Sequence, residues 1–560
     1  MSAASPPPLP PSPRPRRTGW WAFGFWTVAS AFLAVCFLAV LSPSKTPAPA
    51  AVEGDRTEAS IRAAVDRVTA EFAAAWAEAG VEPAPPADDL AVIRRLSLGL
   101  TGSVPSLEEI RAFEARPEGP RRIQWWLSHL FEDSRSADYL AERYARAFVG
   151  VENGPFLVYR RGRLVSWLSG QFRENRPYDE LVRDLIAAEG LWTSNPEANF
   201  ITATIDQNEK KRGPDEIKLA ARTTRAFLGV RIDCMQCHDD KFGDRWKQED
   251  FHQLAAFYAG AEMRITGVQD KKNKVYEFRY LGERDEQPVP QAVPFSPELL
   301  PSSGAPRERL AKWATHPENR AFSRAAVNRV WAILFGRPLV EAIDDIPLEG
   351  PYPPGLESLA DDFVAHDFDL RHLIRTIAAT RPYTLDSRSG DPARPVTEAE
   401  EMHWAAFPLT RLRPEQIAGG VTQAASLDTL DDEASVLRRI QRFGDRNQFV
   451  KRWGDPGEEE FAELTGTIPQ RLLMMNGNLV KERTSPNPVM NASTRIGALS
   501  GDPTRAVEAA YLCVLTRRPT PEETEFFAGT LEKRNPNARN RAMEDLFWTL
   551  MNATEFSWNH

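Results

Sequence analysis

Cysteine is scarce in this sequence, with 4 among 560 residues. A chain this long with so few thiols is not a disulfide-knit scaffold. It also lacks a positive excess: 69 Lys and Arg stand against 78 Asp and Glu, a formal net charge of −9. Nucleic-acid binders carry a basic stripe, so nucleic acid is not an expected partner. There is no G-x-S-x-G elbow, H-E-x-x-H pair, P-loop or dinucleotide G-x-G-x-x-G, and no repeat of 20–50 residues. The common hydrolase, zincin, nucleotide-hydrolase and dehydrogenase chemistries therefore have no local signature. What is present is an ordinary globular balance, 42% hydrophobic and 26% charged, with 45 Pro, 15 Trp and 29 Phe. This length and composition predict two to four domains with ample core.

The N-terminus is a separate region. Residues 1–19 are proline-rich and read as a disordered or polyproline-like tail. Trp20 to Leu41 is an uncharged apolar run of 22 residues, enough at 1.5 Å per residue to cross a hydrocarbon core of about 30 Å. Trp20, Trp21 and Trp26 sit where interfacial anchors belong. Arg14, Arg16 and Arg17 outweigh the single Lys45 on the far side. The positive-inside rule then predicts a single-pass inner-membrane protein with a cytoplasmic tail and its bulk on the periplasmic side. The competing reading is a cleaved signal peptide, whose apolar region is usually shorter; Pro43, Pro47 and Pro49 make a poor cleavage context.

Beyond the Pro/Ala-rich linker 42–56, helical periodicity dominates. Ile61, Val65, Val68, Phe72 and Trp76 recur every three or four residues, and Pro83, Pro85 and Pro86 break the pattern. Leu90, Ile93, Leu96 and Leu100 form a second face, ended by Gly102 and Pro105, and Ser106 with Glu109 spells a capping box for the next helix. Val275, Phe278 and Tyr280 predict a small β-hairpin, followed by a proline-containing linker. Periodicity resumes near Glu308, with polar loops expected at 388–400 and 482–503. The expected fold is mainly α: two helical domains (57–262 and 307–560) with a β-hairpin insertion and linker at 263–306, preceded by one transmembrane helix at 20–41.

One motif carries chemistry. Cys234-Met235-Gln236-Cys237-His238 is a C-x-x-C-H pentapeptide, the spacing of c-type haem attachment. Two thiols three positions apart reach the two vinyl groups of one porphyrin, and the adjacent imidazole turns onto the iron. His252 or Met263 would be the second axial ligand. Two alternatives stay open. One is a C-x-x-C disulfide that staples the loop without any cofactor. The other is zinc held by both cysteines with His238, Asp239, Asp240 or His252.

Other residues invite weaker readings. Arg324, Asn328 and Trp331 share a helix face, with Arg329 and Arg337 close by. They suit either a polar cleft for an anionic or sugar ligand or a buried network that orients the helix. Asp88, Asp89, Arg94 and Arg95 are expected as helix-end caps and salt bridges. Trp125 and Trp126 are expected in the core, Asn476 in a turn with Gly477, and Cys36 and Cys513 as inert thiols.

Several longer stretches carry a resemblance. ADDLAVIRRLSLGLTGSVPSLEEI (87–110), RPYDELVRDLIAAEG (176–190) and RAFLGVRIDCMQCHDDKFGDRWKQEDFHQLAAFYAG (225–260) are followed by NRAFSRAAVNRVWAILFGRPLVEAIDDI (319–346), FDLRHLIRTIAATRPY (368–383) and TIPQRLLMMNGNLV (467–480). In these the chain resembles the planctomycete paired domains of unknown function, a cytochrome-c-like domain followed by its companion domain. The resemblance implies haem on Cys234 and Cys237 with His238 as iron ligand. Many members carry His two positions after that histidine, where this chain has Asp240. The expected function is that of a membrane-anchored, periplasm-facing redox protein. The alternative is a haem-free exported binding or assembly protein that acts with a cell-surface polysaccharide or another exported protein.

Overall fold

Ile61, Val68, Phe72 and Trp76 lie along one stripe of α1 (Asp55–Ala79) and are all buried, as their spacing predicts. The computed structural model describes residues 55–560 apart from 153, 155–156, 206–212, 242–244, 392, 432–447, 455–456, 458–460, 462–465 and 533–534. The expected tail, the anchor at 20–41, nearly all of the linker and Cys36 lie outside the described residues. Among the described residues no helix is long and apolar enough to cross a membrane.

The chain is mainly helical. After α1 come α2 (Asp89–Thr101), α3 (Leu107–Glu114), α4 (Pro120–Glu132), α5 (Ser134–Val149) and α6 (Arg161–Arg173). Next are α7 (Tyr178–Ala187), α8 (Glu216–Thr223) and α9 (Gln248–Ala255). Beyond the hairpins run α10 (Pro306–Ala314), α11 (Arg320–Phe335), α12 (Leu356–Ala365), α13 (Leu370–Ala379) and α14 (Pro414–Ala424). The C-terminal helices that matter below are α15 (Ile468–Asn476), α16 (Ala492–Leu499), α17 (Pro503–Leu515) and α18 (Pro536–Met551). Ser106 caps α3 with both bonds of the predicted box in place. Among the described residues the strands form only two-stranded antiparallel pairs. β1 (Ala261–Arg264) pairs with β2 (Gly267–Asp270), and β3 (Tyr276–Phe278) with β4 (Gln287–Val289). The hairpin expected around Phe278 is present, and a second precedes it.

The larger apolar core draws on both halves of the sequence, from Val68 through Phe407, and contains Trp125 and Trp126 as expected. A second cluster joins Leu98 and Val104 to α14, α17 and α18. Helix α2 feeds both, and this explains its two arginines. Arg94 and Arg95 are not at a helix end but fully buried in the middle of α2. Arg94 donates to the carbonyls of Val514 at 3.2 Å and Phe556 at 3.4 Å. Arg95 donates to Tyr383, Leu385 and His560 carbonyls at 2.9, 2.8 and 2.8 Å. Burial pulls both guanidinium groups down to about 10. They supply donors to chain ends that no helix ladder reaches. Of the acidic pair, Asp88 caps α2 as expected and Asp89 pairs with Arg122 at 3.2 Å.

Two expected loops also differ. Within 482–503 the chain forms α16, whose Ala492 and Ile496 are buried against the second core. Its two turns are hidden in the sequence by flanking Pro, Asn and Ser. Asn476 closes α15 instead of standing in a turn, and Gly477 links α15 directly to the next helix.

Candidate functional site

The loop that carries the cysteines begins where α8 runs into a wider π-helical turn, Thr224–Leu228, and stops at Gly229 with φ of 60°. A side chain there would meet Ile346 and Ala325, and the positive φ itself favours glycine. The chain then enters a short 3₁₀ turn, Asp233–Gln236, with alternating burial. Ile232 and Met235 point into the core, while Cys234 and Cys237 are exposed and carry free thiols. Burying those two apolar neighbours is what turns both sulfurs outward.

The turn is clamped from behind by α9. The carbonyl of Gln236, between the cysteines, accepts from His252 Nε2 at 3.1 Å and from Gln248 Nε2 at 3.2 Å. The Gln248 main-chain N–H donates to Asp239 Oδ1 at 2.8 Å, and Asp240 N–H to the Trp246 carbonyl at 2.8 Å. Because a carbonyl only accepts, His252 carries its proton on Nε2. Its Nδ1 accepts from the Tyr276 hydroxyl at 2.8 Å, and its ring stacks on Phe278 with centroids 3.4 Å apart. Burial holds this imidazole below its ordinary pKa, so it stays neutral. Both nitrogens of His252 are thus committed to holding the turn and the β3–β4 hairpin together. Met263 lies on β1, half-buried against the main core.

His238 is arranged differently. Its Nδ1 lies 2.7 Å from the Asp239 carbonyl and must donate to it. The lone pair is left on Nε2. Metal-ligating histidines characteristically donate their second nitrogen to a carbonyl or carboxylate in this way. Two outward thiols and an imidazole with Nε2 available fit the donor set of an attached haem. Among the described residues, no three Cys, His, Asp or Glu side chains converge at the motif as a zinc cage would require.

The residues of the expected polar cleft have separate roles. Arg324 is spent on Glu357 and on the Leu348 carbonyl at 3.1 Å. Asn328 is fully buried and pairs with the Val340 main chain through both amide atoms, at 3.0 and 2.9 Å. Trp331 stacks in the core between Phe72 and Phe335. Arg337 donates to the Glu401 carbonyl at 3.0 Å. Arg329 alone of the group reaches a cavity. It is only 6% exposed and lines a space of about 190 Å³ with Lys218, Arg225, Asp344 and Phe461. Among the described residues it has neither a hydrogen bond nor an ion pair. The remaining thiol, Cys513, is 1% exposed, and burial pushes it up to about 12.

A further cluster was not singled out from the sequence. Asp362 stands on α12 and His366 caps the end of that helix one turn later, and His372 follows in the first turn of α13 behind its cap Asp369. His372 Nε2 lies 2.8 Å from Asp362 Oδ2, and the two imidazoles stack at 3.7 Å. The readable signal was the spacing of Asp and two His across one helix break.

These features define a mainly helical protein with a clamped C-x-x-C-H turn at its surface. Residues 65–263 match the model "Protein of unknown function (DUF1549)", and residues 306–448 match "Protein of unknown function (DUF1553)". The chain belongs to the family that carries these two domains in this order. No curated protein and no solved structure matches it significantly.

Proposed function

We propose that this is a membrane-anchored, periplasm-facing redox protein that carries haem c on Cys234 and Cys237. The observation that supports it most is the state of His238: its Nδ1–H is fixed on the Asp239 carbonyl, which leaves the lone pair on Nε2, in the same turn as two exposed free thiols. The haem, when attached, supplies one-electron chemistry. The chain's part is to present both thiols outward, to orient the His238 lone pair, and to hold the turn rigid through His252 and Gln248. The charge-free run Trp20–Leu41 supports the anchor and the export that attachment requires. Haem staining of the denatured full chain, made with haem-maturation machinery, tests this reading. Wild type should stain and Cys234→Ser/Cys237→Ser should not; an unstained wild type contradicts it.

A second reading has its own supporting observation in Arg329. A guanidinium this buried without a counter-ion is costly, and the cavity beside it is the size of a small anionic group. This favours a haem-free exported binding protein that engages an acidic polysaccharide or an acidic exported protein, with Cys234 and Cys237 as a disulfide. Thiol labelling before and after mild reduction separates the two: a disulfide yields new thiols, whereas a thioether does not.

A further inference from the structure

Asp362, His366 and His372 each bring one donor atom within 4.8 Å of the other two. Asp362 and His372 are buried, and His366 is about 30% exposed at the mouth of the group. A buried Asp–His hydrogen bond needs only one imidazole, and His372 supplies it. The second imidazole leaves a deficit unfilled. Among the described residues Asp362 Oδ1 accepts no hydrogen bond; it lies 3.5 Å from His366 Nδ1 and 3.9 Å from the largely exposed Arg67 guanidinium. The Arg67 guanidinium is at the outer limit of an ion pair with this nearly buried oxygen, which leaves room for a closer cation.

Each imidazole has a nitrogen that an ion could recruit. His366 donates from Nδ1 to the Asp362 main-chain carbonyl at 2.7 Å, so its lone pair is on Nε2. Ser60 Oγ sits 2.5 Å from that nitrogen and donates to it. His372 needs only to move its proton from Nε2 to Nδ1 to present a second lone pair, with no net proton released. Two imidazoles and one carboxylate suit zinc or iron(II) and leave a position open. Bonds of about 2.1 Å place donors roughly 3–4 Å apart, so the three side chains draw together when an ion enters. We infer that Asp362, His366 and His372 form a divalent transition-metal site, in which the Ser60 hydroxyl gives up its bond to His366 Nε2 when the ion enters.

The test uses the full chain, stripped with EDTA and titrated with zinc and then cobalt(II), as wild type, Cys234→Ser/Cys237→Ser and His366→Asn. The site predicts one equivalent bound by wild type and by the cysteine variant. The cobalt d–d bands should come without a thiolate charge-transfer band. His366→Asn should weaken binding by more than the roughly tenfold to hundredfold that loss of an outer partner costs. X-ray absorption on the zinc-loaded wild type reads the ligands without any variant and should show nitrogen and oxygen neighbours with imidazole scattering. Absent binding, sulfur in the first shell, or full affinity in His366→Asn would overturn the inference.

Discussion

His252 donates from Nε2 to the main-chain carbonyl of Gln236 across 3.1 Å, so the residue between the two cysteines is held by an imidazole 16 positions further along the chain. The same ring accepts from the Tyr276 hydroxyl at Nδ1, and that bond exists only while His252 is neutral. Protonation would leave Nδ1 with a proton facing the Tyr276 hydroxyl and a charge in a buried ring.

The sign of the resulting pH dependence follows. Burial depresses the folded pKa of His252 below its ordinary 6.5. Its contribution is fully present above 6.5 and is lost as pH falls through the folded value. The protection of the turn around Cys237 against hydrogen exchange, taken relative to the unstructured rate at each pH, should therefore fall below pH 6.5. His252→Phe, which keeps the stack on Phe278, should remove that pH dependence at a cost of about 1–3 kcal/mol for the unpartnered Tyr276 hydroxyl, while Gln248 still serves the Gln236 carbonyl. Protection that stays constant in wild type across this range would contradict the clamp.

Arg95 satisfies three carbonyls from distant parts of the chain. Arg95→Met should destabilise the protein by about 3 kcal/mol or more in urea unfolding. Arg95→Lys should fall between, because an ammonium lacks the planar fork. A variant within 0.5 kcal/mol of wild type, roughly the effect of an ordinary surface change, would show that these contacts contribute little.

Glu109 is buried, which alone would raise its pKa, but the charge of Arg135 and the bond to His129 outweigh burial and hold it at about 2. Its folded value is depressed, so its stabilisation is present above about 4.5 and is lost as pH falls from there toward 2. Acid unfolding should set in below pH 4.5. Glu109→Gln should cost about 3–5 kcal/mol at neutral pH and flatten the acid limb. An acid limb unchanged in that variant would contradict this assignment.

Much of the helical fold was legible because burial enforces spacing: Ile61 to Trp76, and the Ser106–Glu109 box, appear where their pattern puts them. Arg94 and Arg95 were not legible, because which carbonyls lack donors is decided by chain segments more than 280 positions away. Helix α16 escaped because its core contacts are only a few residues among polar ones. The C-x-x-C-H turn announced itself by spacing, but its support did not: His252 reads equally as a ligand or as a clamp until the Gln236 carbonyl is seen beside it. The Asp362 cluster depends on how α12 and α13 pack, a tertiary fact that the sequence spacing only hints at.

The haem assignment is tested most directly by intact mass and absorption of the full chain produced with haem-maturation machinery. The account predicts a polypeptide heavier by one haem, a Soret band, and loss of both in Cys234→Ser/Cys237→Ser. A mass equal to the bare polypeptide, with no Soret band, would contradict it.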